Sequence, residues 1–157
     1  MKLLIINGPN LNFLGIREPS IYGSTTYKDL CSMLEDWCAA AGAECELFQS
    51  NCEGAIVDRI QQAWFDGVDG IVMNPAAYTH TSVAILDALK ATAIPTVEVH
   101  ISDVSTREAF RHHSYVSLAA KHTIIGHGID GYREGIEWLA REPKSREIHT
   151  NLFPCLG

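Results

Sequence analysis

A three-layer α/β sandwich built on a five-stranded parallel sheet is the fold that this 157-residue sequence predicts. Two patterns carry the expectation. Short apolar runs alternate along the chain with segments whose apolar residues recur at helical spacing. The length also suits one domain of ordinary size, with 46% apolar and 20% charged residues able to bury a real core.

Lys2 to Ile6 (KLLII) is short and apolar and runs into the turn-forming NGPN, which reads as a buried strand. After a loop punctuated by Gly and Pro, Leu30, Met33, Leu34, Trp37, Cys38 and Ala41 recur at helical spacing, and Gly42 supplies the stop. Glu44 to Phe48 follows as a strand. Ile56, Val57, Ile60, Ala63 and Trp64 then mark a helix, and Gly70 to Met73 a further strand. A helix around Ile85, Leu86 and Leu89 precedes a strand from Thr96 to Val99, opened by Pro95. A fifth strand is expected near Tyr115 to Ala119, then a last helix with Tyr132, Ile136 and Leu139, capped by Asp130. Such alternation implies right-handed crossovers and a sheet covered on both faces, a flavodoxin-like arrangement. From Pro143 the periodicity is lost, so one catalytic domain is expected over residues 1–143 and a tail over 144–157.

The formal net charge is -7 and the twelve Lys and Arg are scattered, which argues against nucleic acid as a partner. An anionic ligand must therefore be held by local donors rather than by a long-range field. The five cysteines are odd in number, and Cys31, Cys38, Cys45 and Cys52 recur every seven residues, unlike the close CxxC pairs of zinc sites. Cys31 and Cys38, on one expected helix with apolar neighbours, read as buried small hydrophobes, and a reduced setting fits best. His112 and His113 are neighbours whose side chains diverge, and no Asp or Glu stands at a convincing partner spacing, so no metal is expected. Met1 and Lys2 precede only a short apolar run, and nothing approaches the roughly 18 apolar residues of a membrane span. A cytoplasmic protein without membrane partners is the expectation.

Ligands of open parallel sheets bind outside the carboxyl ends of the strands, where loops and helix N-termini converge. Three polar strand ends should meet there: Asn7-Gly8-Pro9-Asn10, Asn74-Pro75, and Glu98-Val99-His100-Ile101-Ser102-Asp103. The loop from Leu11 to Ser24 is long for a strand-to-helix connection and carries Arg17 and Tyr22 between Gly15 and Gly23, which suits a lid. A tyrosine becomes a base only if its pKa of about 10 falls toward neutrality. A guanidinium at about 4 Å, with an effective dielectric near 20, is worth roughly three pKa units before burial is set against it. His100 is the natural proton donor, with Glu98 two residues back on the same strand face; two asparagines are expected to face it. A structural histidine, and a flavodoxin-like module holding FMN or another phosphate at NGPN, are the alternatives. No GxGxxG or Walker motif occurs.

The segments IINGPNLNFLGIREPSIYG, SNCEGAIVDRI, GIVMNPAAYTHTSVAILDAL, IPTVEVHISDVSTREAFRHHS and GYREGIEWL, spanning about Leu3 to Leu139, resemble the signature blocks of type II dehydroquinases in the right order. The resemblance implies dehydration of 3-dehydroquinate, a small anionic cyclohexanone acid, without metal or organic cofactor. It implies that Tyr22 takes the axial proton beside the ketone, Arg17 lowers its pKa, and Asn10 holds a water that stabilises the enolate. His100 would protonate the departing hydroxyl, and Glu98 would orient that acid. It further implies that Asn74, His80 and Arg111 bind ring hydroxyls, that the backbone of Ile101 and Ser102 holds the carboxylate, and that Asp87 reaches a neighbouring subunit's site in a homododecamer of four trimers. Asp103, Ala76 and Cys52 depart from the Asn, Gly and His usual in the family, as do Phe13 and Ile16 in the lid. A carboxylate at 103 is expected to repel a bound carboxylate or to turn away from it.

Overall fold

The computed structural model describes residues 1–16, Ser20 and 24–142. Arg17, Tyr22 and the expected tail at 144–157 lie outside the described residues.

Along the chain run β1 (Lys2–Asn7), α1 (Tyr27–Ala40), β2 (Glu44–Gln49), α2 (Glu53–Phe65), β3 (Gly70–Asn74), α3 (Val83–Thr92), β4 (Thr96–His100), β5 (His122–Ile125) and α4 (Asp130–Arg141). The five strands pair in parallel in the order β2-β1-β3-β4-β5, the flavodoxin-like arrangement expected from the alternation.

Strand periodicity splits the core into two layers. Leu3 and Ile5 pack with Leu30 and Leu34 of α1 and Ile136 and Leu139 of α4. The residues between them, Leu4 and Ile6, pack on the other face with Ile56 and Ile60 of α2 and Ile85 and Leu89 of α3. All four of these β1 side chains are fully buried, each contributing about 1.5–3 kcal/mol.

The helix ends follow local chemistry. Thr26 and Asp29 form a reciprocal capping box on α1, and Gly42 takes the left-handed conformation (φ 70°) just beyond it. Ser82 caps α3 by accepting from the Ile85 amide.

Two expectations fail. Tyr115–Ala119 is not a strand: Val116–Leu118 is a single 3-10 turn. Ser114 Oγ accepts from the Ser117 amide while Ser117 Oγ donates to the Ser114 carbonyl, so serine side chains close the segment on itself. The fifth strand comes later, at the half-polar HTII beside β4. Asp130 does not cap α4 either. The N-cap is Ile129, without a side-chain bond, and Asp130 is the first helical residue, paired with Arg133 at 3.4 Å. Its charge still favours the helix N-terminus.

Candidate active site

At the carboxyl edge of the sheet the ends of β1, β3 and β4 converge, as the placement rule predicts. The cavity there is lined by Pro9, Asn10, Leu11, Leu14, Asn74, Ala76, Ala77, His80, His100, Ile101, Ser102, Val104, Arg107 and Arg111. The β1 and β3 ends approach closely: Gly8 donates to the Asn74 carbonyl at 2.8 Å, and a Cβ at Gly8 would lie 2.3 Å from the Pro75 carbonyl oxygen. Only glycine fits there.

His100 is the last residue of β4 and only 6% exposed. Its Nε2 lies 2.7 Å from Oε1 of Glu98, which is wholly buried. The same oxygen receives Thr79 Oγ1 at 2.7 Å and Ser114 Oγ at 2.6 Å, and Thr123 Oγ1 reaches the other oxygen at 3.4 Å. Burial pushes the Glu98 carboxyl up, but the bonds and charge of His100, with the Ser114 and Thr79 hydroxyls, outweigh it and leave the group below the usual carboxylate range. An ionised Glu98 accepts only, so Nε2 of His100 donates and Nδ1 is the ring nitrogen left for the cavity.

A depressed folded pKa has a testable consequence. Glu98 contributes stability above its unfolded pKa near 4.5, and that contribution is lost as pH falls through the lower folded value. Glu98→Gln is expected to flatten the acid side of the stability curve, a result read from melting temperatures between about pH 3 and 7. An unchanged slope would remove this residue from the acid transition.

Asn74 does not face His100 across the sheet. The register pairs Met73 with Glu98, so Glu98 and His100 lie on the Met73 face and Asn74 on the other; they meet only at the rim. Asn74 is 4% exposed, its Oδ1 accepting from the Ala76 amide at 3.1 Å and its Nδ2 donating to the Tyr132 hydroxyl at 3.0 Å.

His80 ends the 3-10 turn Ala76–His80, and its Nδ1 lies 2.7 Å from the His113 carbonyl. A carbonyl only accepts, so Nδ1 carries a proton. Burial, opposed by that bond, holds the His80 pKa below its ordinary value. Arg111 lines the cavity while paired to Glu108 at 2.7 Å. Asn10 takes the left-handed conformation (φ 68°), with its amide on Asn51 Oδ1 at 2.9 Å.

Asp87 is exposed on α3 and absent from the cavity of a single chain. Asp103 turns away as well, its Oδ1 accepting from the Ser105 hydroxyl and amide at 2.6 and 2.9 Å. Those bonds hold its carboxyl below the usual range. Sequence reasoning overlooked Thr79, Ser114 and Arg107, and treated Tyr132 only as a marker of the last helix.

Ala76 sits at φ 50°, where an L side chain is strained and glycine is not. Ala76→Gly is therefore expected to raise unfolding free energy by about 1 kcal/mol, measurable by denaturant titration. A loss of stability would show that the Ala76 methyl packing outweighs the strain.

Among the described residues no helix is long and apolar enough to cross a membrane, and no group of three or more His, Cys, Asp or Glu is placed to hold a metal ion.

The family model "Dehydroquinase class II" matches residues 1–140. A catabolic 3-dehydroquinase of Aspergillus oryzae is 57% identical over 93% of this chain and 95% of that protein. A 3-dehydroquinate dehydratase of Janthinobacterium is 51% identical over 90% and 97%. The crystal structure of the type II dehydroquinase from Butyrivibrio crossotus superposes with a TM-score of 0.87 at 53% identity, covering 88% of this chain and 97% of that one. With its match across sequence and fold, the chain belongs to the class II dehydroquinase family.

Proposed function

We propose that this protein is a 3-dehydroquinate dehydratase that removes water by anti elimination through an enolate, giving 3-dehydroshikimate in the shikimate pathway. The observation that carries the reading is the buried Glu98–His100 pair, held at 2.7 Å, which offers one ring nitrogen to the cavity. Tyr22 takes the axial proton beside the ketone, and its phenolate is made available by Arg17. The electron pair moves onto the ketone oxygen, where a water on Asn10 stabilises it. The enolate then collapses, the carbon–oxygen bond breaks, and His100 delivers a proton to the leaving hydroxyl, which departs as water.

The cavity lining supports an anion. Among the described residues that line it are Arg107 and Arg111 and no Asp or Glu, although the whole chain carries a net charge of -7. Asn74, His80 and Arg111 bind ring hydroxyls, and the backbone of Ile101 and Ser102 receives the carboxylate. Asp103 stays clear of that carboxylate because its oxygen is engaged by Ser105.

Turnover of 3-dehydroquinate with a chelator present and no cofactor added tests the activity. Growth of the ultraviolet band of a conjugated enone is the expected result, and a silent assay with folded protein would overturn the reading. The homododecamer belongs to the same proposal. The exposure of Asp87 in a single chain fits a residue supplied to a neighbour's site, and the mass of the assembly in solution checks it. One catalytic domain over residues 1–143 and a cytoplasmic setting complete the proposal.

A further inference from the structure

We infer that Tyr132 is a positioning residue for the reaction: its hydroxyl fixes the orientation in which Asn74 presents its amide to the cavity. The inference rests on the proposed reading in which Asn74 binds substrate.

The Ala76 backbone N–H can only donate, and it lies 3.1 Å from the Asn74 side chain, so the atom it meets is Oδ1. Nδ2 is then the atom at 3.0 Å from the Tyr132 hydroxyl, and it donates there. A phenol has one hydrogen. Since Tyr132 accepts from Asn74, its own hydrogen goes to Asn7 Oδ1 at 2.7 Å. The three side chains, from the ends of β3, α4 and β1, form a chain of bonds with a single direction. Flipping the Asn74 amide would set Nδ2 against the Ala76 N–H and Oδ1 against a hydroxyl whose hydrogen is already committed. The Ala76 bond would be lost, and the Tyr132 hydrogen would have to leave Asn7 Oδ1 to restore the other. The amide therefore keeps one free Nδ2 hydrogen, a donor matched to an acceptor oxygen such as a ring hydroxyl.

Packing alone does not account for this arrangement. Tyr132 and Asn7 are fully buried, and Asn7 Nδ2 has no partner in hydrogen-bond geometry. Beside it lies the Tyr27 phenol, which burial pushes up to about 12 while Asn7 pulls it back. Apolar residues would fill the same space without burying these polar groups. The polar chain does what they cannot: it tells the Asn74 amide which way to point.

The test is a double-mutant cycle on the full chain, using Tyr132→Phe, Asn74→Ala and the pair, with steady-state kinetics on 3-dehydroquinate and circular dichroism to verify folding. Tyr132→Phe is expected to raise KM about fivefold to tenfold with kcat changed less than about twofold. Asn74→Ala should raise KM at least as much, and the double variant no further. Effects that multiply, or an unchanged KM in folded Tyr132→Phe, overturn the inference. A normal KM in Asn74→Ala alone instead overturns the reading of Asn74 on which it stands. If Tyr132→Phe does not fold, Asn7→Val serves in its place, because it removes the acceptor that commits the Tyr132 hydrogen. A smaller KM rise supports the inference, and an unchanged KM overturns it.

Discussion

His100→Ala is expected to lower kcat for 3-dehydroquinate by roughly 10²–10⁴-fold, the usual share of general acid catalysis, with the fold preserved. Hydroxide is a poor leaving group and needs a proton as the carbon–oxygen bond breaks. His100 lines the cavity, and its Nε2 is occupied by Glu98, so the proton is delivered from Nδ1. The fold should survive because the Glu98 carboxylate, though it loses one bond, keeps the Thr79 and Ser114 hydroxyls at 2.7 and 2.6 Å. The measurement pairs steady-state kinetics with a circular dichroism melt. Near-normal turnover in a folded variant would move the acid role to another group.

The sheet and its helices are legible in the sequence because burial imposes a period. Leu30, Leu34 and Cys38 return to one face of a helix, and KLLII carries the apolar run of a strand buried on both sides. The fifth strand escapes the rule. His122–Ile125 lies at the sheet edge, with His122 and Ile125 exposed, so its apolar signal is weaker than that of the turn before it. Tyr115–Ala119 has the apolar residues of a strand, but Ser114 and Ser117 bind it locally. The rim of polar strand ends is likewise legible, since parallel sheets present their carboxyl ends together. What supports the rim is not. Thr79 and Ser114 lie 19 and 16 residues from Glu98, and Tyr132 lies 125 residues from Asn7. Their roles come from the direction of hydrogen bonds across elements, which no spacing encodes. The fate of Asp103 is local in origin, for an Asp two residues before a Ser amide caps its own turn.

Tyr22→Phe is expected to lower kcat by roughly 10²–10⁴-fold while leaving ligand affinity within a few-fold, because the ring remains and only the proton acceptor is lost. The described cavity gives this prediction a rival. Its titratable lining groups are His80, His100, Arg107 and Arg111. A guanidinium has no free lone pair with which to take a proton, and His100 is committed as the acid. His80 is chemically able to act as a base: burial lowers its pKa, and with Nδ1 on the His113 carbonyl its neutral form carries the lone pair on Nε2. Position argues against it. His80 follows Thr79, whose hydroxyl binds Glu98, and it feels the charge of His100, so it stands on the acid's side of the cavity. An anti elimination takes the proton from the opposite face of the ring. Leu11 and Leu14, which line the cavity, precede Arg17 and Tyr22 in the sequence. Kinetics and ligand titration on Tyr22→Phe and His80→Ala decide between the two. Turnover that survives in the first and disappears in the second would transfer the base to His80 and, with acid and base on one side, would require a syn elimination instead.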